Sequence, residues 1–286
     1  MELTADRPDT AELKRRIAGN HDWYHTLELA PGVLTPGIVD VRPVVPCVPM
    51  PASLEGLRCL DVGTWDGFWA FEMERRGAAE VHAVDVPDPY RWDWPARARI
   101  RESYDGGKAN LETIKERGNG FPIARDALGS SVERHETTVY EISPERLGTF
   151  DFVFVGSLLL HLRDPVGALE RIRTVASGEV VVNDCIEYVL SKLLRRTPMA
   201  RLDAEDRVWW WQPNLAALTS MIEQAGFEIL ERGEPYFVPF GSRYQTPRQG
   251  PRDLLRRLRS PKGWEELVLY RRGIAHAATR CRPLAR

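Results

Sequence analysis

Along the middle of the chain, short apolar runs alternate with longer stretches in which apolar positions recur every three or four residues. Residues 58–62, 80–85, 133–140, 151–155 and 179–184 form the short runs, mostly rich in β-branched and aromatic types that favour strands. Two of them, "FDFVFV" and "EVVVND", scarcely alternate between apolar and polar, as expected of strands buried on both faces. The intervening stretches 68–76, much of 96–117, and 166–176 carry helical spacing. Together they predict an α/β fold, a parallel sheet covered on both faces.

The ends read differently. Residues 9–20 look helical, and 31–51 hold six prolines, which predicts an extended, irregular arm. Near the C-terminus a helix is expected over 213–225, with Pro213 in its first turn and Gly226 as a left-handed cap. "FEILERGE" and "WEELVLYRR" then read as two strands with no long helix between them, hence an antiparallel pair at the sheet edge. The organisation expected is an N-terminal helix and arm over 1–52, on the lid or acceptor side, then one domain over 53–286 with an insertion at 236–263.

Composition narrows the class. With 286 residues, 43% hydrophobic, 28% charged and a formal net charge of -2, the chain has the make-up of an ordinary globular protein. Its longest apolar run, 152–160, is too short for a membrane span, and its charged N-terminus lacks the apolar stretch of a signal peptide. Four scattered cysteines without CxxC spacing read as reduced thiols. A cytoplasmic protein with no membrane partner is expected. Charge is uneven, however: 243–286 carry 12 Lys/Arg against 3 Asp/Glu, leaving 27 basic and 38 acidic side chains in the rest.

The candidate chemistry centres on "RCLDVGTWDGFWAFEMERRG". A strand, a glycine turn and a helix in that order bring backbone close to a ligand at a helix N-terminus. The dinucleotide fingerprint G-x-G-x-x-G would need glycines where Trp65 and Phe68 stand, and no GxxxxGK[ST] phosphate loop occurs. Bulk at those places argues against NAD or FAD, and the ligand expected is nucleoside-like without a pyrophosphate. Asp85, 22 residues after Gly63, ends the next strand, where a carboxylate accepts hydrogen bonds from both ribose hydroxyls. A ribose without a diphosphate suggests S-adenosylmethionine.

"LDVGTWDGFWAFEMERRGAAEVHAVD" resembles motif I and the acidic second-strand end of class I S-adenosylmethionine-dependent methyltransferases. With "WYHTLELAPGVLTPG" before it and "GSLLLHLRDPVGALERIR" and "WWWQPNLAALTSMIEQAGF" after it, the pattern is similar to the branch of tRNA wobble-uridine (mo5U/cmo5U) methyltransferase-like proteins, over about residues 23–227. The resemblance implies a Rossmann-like seven-stranded sheet with a reversed last strand. It also implies cofactor contacts at Asp61, Gly63, Thr64, Trp65 and Gly67, ribose at Asp85, adenine beside Val139 and Tyr140, and Gly156 with Ser157 beneath the sulfonium. Trp65 departs from the usual GxGxG. The wobble-uridine carboxymethyl enzyme needs fixed cations for a carboxylated cofactor, and before the glycine turn only Arg42 is a strong candidate, which favours ordinary methyl transfer.

A sulfonium is already an activated leaving group, so alignment supplies much of the catalysis, and a hydroxyl acceptor adds the need for a base. His161 in "GSLLLHLRDP" is the leading candidate, its structural alternative being a cap for the next helix. Asp184 and Glu187, at the exit of the fifth strand, are placed for acceptor contacts or simply for solvent. Trp23, Tyr24 and His25 of "HDWYHTLEL", and Trp210 of "RVWWWQPN", would line an acceptor pocket or else pack the arm onto the core. No HxxxH, CxxC or carboxylate triad appears, so a metal-independent enzyme is expected. The acceptor expected is an O or N of a small-molecule metabolite. Transfer to tRNA is the alternative, with the basic segment as backbone-binding surface, and a non-catalytic cofactor-binding protein ranks behind both.

Overall fold

Leu13 and Ile17, four residues apart, give the first helix, α1 (Thr10–Gly19), a buried apolar stripe. The computed structural model describes residues 9–96, 120–202, 209–244 and 272–285. The proline-rich stretch is more structured than an extended arm. β1 (Glu28–Ala30) and β2 (Val33–Leu34) pair as a hairpin, and Arg42–Cys47 forms a 3-10 turn. Val33, Val39, Val41, Val44 and Val48 are buried in the core. Their burial, a local term invisible to proline counting, makes the arm a packed layer.

The predicted parallel run follows: β3 (Arg58–Val62), α2 (Phe68–Arg75), β4 (Glu80–Asp85), α3 (Gly120–Leu128) and β5 (Glu133–Glu136). After it come α4 (Pro144–Leu147), β6 (Phe150–Gly156), α5 (Pro165–Val175) and β7 (Ala176–Cys185). β5 stops short of Tyr140 because Thr138 opens a 3-10 turn, Val139–Glu141, closed reciprocally with the Glu141 side chain. Asp164 caps α5 by accepting from the Gly167 amide, with Pro165 in its first turn.

The C-terminal part holds α6 (Tyr188–Leu193), the antiparallel pair β8 (Ala200–Leu202) and β9 (Trp211–Pro213), and α7 (Leu215–Gln224). β10 (Phe227–Arg232), β11 (Tyr236–Val238) and β12 (Ile274–Pro283) complete it. α7 starts later than predicted: Pro213 belongs to β9, and the Asn214 carboxamide caps the helix at the Ala217 amide. Gly226 does adopt the left-handed conformation, φ 88°.

The sheet order is β10-β12-β7-β6-β3-β4-β5, with β11 on β12. β7 through β5 are parallel, and β12 runs antiparallel to both β7 and β10. This is a Rossmann-like sheet with one reversed strand, the last. The reversed strand lies inside the sheet rather than at its edge, and is Ile274–Pro283; the predicted strand at 264–271 lies outside the described residues, as do the helical stretch 97–117 and the basic 251–260. Alternation separates two cores: Cys59, Phe152, Phe154 and Val181 face the arm, α2 and α3, whereas Leu60, Val62, Val153 and Val182 face α5 and α7. Among the described residues no helix is long and apolar enough to cross a membrane.

Candidate active site

Strand order reverses between β3 and β6, and in such sheets the crevice beyond the strands' carboxyl ends is where ligands bind. A cavity of about 380 Å³ opens there. Gly63 ends β3, Asp85 ends β4, and Gly156 and Ser157 end β6; β12, being reversed, brings its first residues, including His276, to the same edge.

The turn after β3 is held by backbone. The amides of Gly63 and Thr64 donate to the Val84 carbonyl, 2.9 and 3.2 Å. Gly63 (φ 84°) and Gly67 (φ 95°) take the left-handed conformation natural to glycine, and Trp65 takes it too, at φ 48°. Three contacts hold that residue: its amide donates to the Asp85 carboxylate, its indole N–H to the Asp22 carbonyl at 3.1 Å, and its ring lies 5.8 Å from that of Trp92. Ser157 (φ 49°) is the second such position. Both line the cavity, where backbone strain is commonly stored.

Asp66, adjacent to Trp65 and fully buried, was not singled out by the sequence. Its carboxylate accepts from the amides of Tyr24 and His25, 2.8 and 2.9 Å, and pairs with the His25 ring. The arm is thereby fastened to the glycine turn.

The cavity has two halves. Around Asp85 lie Val62, Val84, Val86, Val139, Tyr140 and Trp92. Each Asp85 oxygen takes one backbone N–H, from Trp65 or Val86, and a carboxylate retains further lone pairs; burial raises its pKa above the usual range. A carboxylate with acceptor capacity at the lip of an apolar bed fits an adenosyl group, its ribose diol on Asp85 and its purine against the valines. When bound, S-adenosylmethionine supplies an electrophilic methyl. On the other half stand Tyr24, Ser157, Asn183, Tyr236 and His276, and Trp209 also lines the cavity.

Of the residues singled out from the sequence, Gly63, Trp65, Asp85, Val139, Tyr140, Gly156, Ser157, His161, Tyr24 and His25 line this cavity. Others build its walls. Asp61, Thr64 and Gly67 are behind the turn, where burial pushes the Asp61 carboxyl up to about 7. A Cβ on Gly67 would stand 2.4 Å from the Phe71 ring.

Four expectations are corrected. Trp23 is wholly buried in the core, its indole donating to the Ile17 carbonyl at 3.1 Å, so it meets no acceptor. Trp210 donates to the Asp93 carbonyl at 2.5 Å and lies under Arg163, while its neighbour Trp209 lines the cavity. Asp184 turns beneath β7, where it accepts from the amides of Leu159 and Cys185, 2.6 and 2.7 Å, and burial holds its carboxyl up at about 7. Glu187 is buried beside Arg201, 3.4 Å away, at the start of α6. Asp184 thus shapes the Leu159–His161 turn rather than facing the cavity.

Two clusters have no local spacing to announce them. Asp93 gathers the Tyr140 hydroxyl, the Arg163 amide and the Trp210 indole. Away from the cavity, pairing of β4 with β5 brings ligand atoms of His82, Glu133 and His135 within 4.8 Å of one another. The Arg58 guanidinium, 3.1 Å from the same His82 ring, occupies that network and opposes a further cation.

A twisted parallel sheet with a nucleoside-sized crevice at its switch point defines a doubly wound nucleoside-binding protein. The chain belongs to the family described as "Methyltransferase domain", which matches residues 42–232. The curated relatives it resembles are tRNA U34 carboxymethyltransferases. That of Psychrobacter cryohalolentis is 28% identical over 61% of this chain and 44% of its own length, and that of Idiomarina loihiensis 24% over 62% and 47%. The chain thus spans less than half the length of these relatives. Among solved structures, the N-terminal domain of EvdMO1, determined in the presence of SAH and D-fucose, shares 14% identity at a TM-score of 0.54, over 99% of this chain and 100% of that one.

Proposed function

We propose that the chain transfers a methyl group to an oxygen or nitrogen of a small-molecule metabolite. The cavity beside the cofactor half carries the reading. It is largely apolar and aromatic, with Tyr24 and Tyr236 in the lining beside Ser157, and among its described lining residues the one guanidinium, Arg91, is paired with the Glu141 carboxylate at 3.3 Å. A polyanion is poorly served by such a lining. Arg42, the cation expected for a carboxylated cofactor, is outside the lining and tied to Asp40 through two contacts of 2.8 and 2.7 Å, which supports plain methyl transfer. His161 lines the cavity as a candidate base, on the Leu159–His161 turn whose first amide donates to Asp184. The neighbour crystallised with D-fucose makes hydroxylated metabolites the first acceptors to try.

The names of the curated relatives favour a second reading, transfer to tRNA. Incubation with methyl-labelled cofactor separates the two. The expected outcome is label in low-molecular-weight acceptors, little changed between 50 and 200 mM salt. Label in bulk tRNA, falling steeply over that range, would replace the first reading by the second.

A further inference from the structure

On the acceptor side of the cavity, a chain of polar groups runs inward from Ser157. The Ser157 Oγ lies 3.0 Å from His276 Nε2. On the far side of that ring Nδ1 lies 3.0 Å from the Ile274 carbonyl oxygen. A carbonyl only accepts, so Nδ1 carries the proton and Nε2 presents its lone pair. The Ser157 hydroxyl therefore donates inward to Nε2, which leaves the Oγ lone pairs to accept from the cavity side, where Tyr24 also stands. Asn183 and Tyr236, joined at 2.6 Å, line the same wall.

We propose that this wall binds a neutral hydroxyl of the acceptor, and that Ser157 relays its proton to His276, making the reaction an O-methylation of a neutral hydroxylated metabolite. The inference rests on the small-molecule reading above. In the transfer, the bond from acceptor oxygen to methyl carbon forms as the carbon–sulfur bond breaks, and sulfur keeps the electron pair. The acceptor's proton passes to Ser157 Oγ, whose own proton passes to His276 Nε2; the resulting imidazolium is held by the Ile274 carbonyl and returns its proton by the same path after product leaves.

The groups facing the ring keep it neutral beforehand. They are the Ser157 hydroxyl, the Cys185 thiol at 3.3 Å and the Tyr236 ring at 6.2 Å. Burial pushes the thiol and the phenol up and the imidazole down to about 4, so Nε2 stays an acceptor throughout the neutral range. Among the described residues in contact with the His276 ring there is no ammonium or guanidinium for an anionic acceptor and no carboxylate for an amine.

Nitrogen-15 histidine spectra of the full chain, free of cofactor, test the hydrogen-bond state without any acceptor. Of six histidines, the one that disappears in His276→Asn is expected in the Nδ1–H form from pH 7 down to 5. An Nε2–H tautomer or an imidazolium at pH 7 overturns the relay. Should His276→Asn fail to fold, the resonance shifted by Ser157→Ala makes the assignment. Turnover is then measured with methyl-labelled cofactor on neutral methyl pyranosides and the matching amino sugars. Expected are methyl groups on oxygen, a kcat flat between pH 5.5 and 8, and a loss of roughly 100- to 1,000-fold in His276→Asn with SAH affinity within twofold of wild type. Methylation of amines alone overturns the proposal, as does wild-type turnover in His276→Asn, or an acidic limb near pH 6.5 that persists in it and disappears in His161→Asn. In the last two cases O-methylation of a small molecule still stands; label confined to tRNA removes the underlying reading instead.

Discussion

Asp85 is the residue on which cofactor affinity is expected to turn. Asp85→Ala removes the acceptor for the ribose diol and also leaves the Trp65 and Val86 amides without their partner. Hydrogen bonds to a charged group contribute about 1.5–3 kcal/mol, so calorimetry with SAH is expected to show a Kd weakened by about 10- to 100-fold. The buried titrating groups give stability a pH dependence. The carboxyls of Asp61 and Asp184 hold their protons up to about 7 in the fold, whereas the unfolded chain releases them from about 4 upward. Each contributes stability that is present at low pH and lost as pH rises from 4 to 7. His276, lowered to about 4, works the other way, its contribution being lost as pH falls from about 6.5. Urea midpoints at pH 5.5 and 8 are therefore expected to differ less in Asp61→Asn than in wild type; an equal difference would show that the carboxyl is ionised throughout. At this scale the sequence names residue types and segments but not the facing: it offers Trp23 together with Tyr24, and Trp210 and Asp184 where their neighbours Trp209 and Asn183 line the cavity. Tyr24 lines the cavity and Trp23 the core, Trp209 the cavity and Trp210 its frame, Asn183 the cavity and Asp184 the underside. In segments buried on both sides, composition carries no sign of which parity faces the ligand.

Elements were more readable than their side chains because period and punctuation survive without tertiary context. β3 and β4 occupy the residues their apolar runs predicted, and α1 and α5 lie within a residue or two of theirs. The arm was misread because its prolines argue locally while its valines act through the core. β12 was missed: "IAHAATRCRP" looks like a polar strand until the sheet buries Ala277, Ala278 and Cys281, and with it went His276. How tightly arm and helix fit is testable at Gly120, where an added Cβ would stand 2.1 Å from the buried Trp23 ring. Gly120→Ala is expected to cost about 1–3 kcal/mol by overpacking, read as a fall of several degrees in Tm, with far-ultraviolet dichroism unchanged. A Tm equal to wild type would mean that Trp23 has room to move.

For the whole molecule, the two cores on either face of one sheet act as the scaffold, and the cavity at its switch point couples binding to folding. Ligand that binds only the folded state at a hundred times its Kd stabilises by about 2.7 kcal/mol. Thermal unfolding with saturating SAH is therefore expected to shift upward by about 5–10 °C, and an equal concentration of NAD is expected to shift it by less than 1 °C, since Trp65 and Phe68 stand where a pyrophosphate would need glycine. A matching rise with NAD would overturn the nucleoside assignment. The threading of the sheet also has a consequence for synthesis. β7 and β10 point the same way and are joined only through β12, which the ribosome makes more than 40 residues after β10. A nascent chain that has already emitted its glycine turn still lacks the wall carrying His276, and gains it only when β12 enters between β7 and β10.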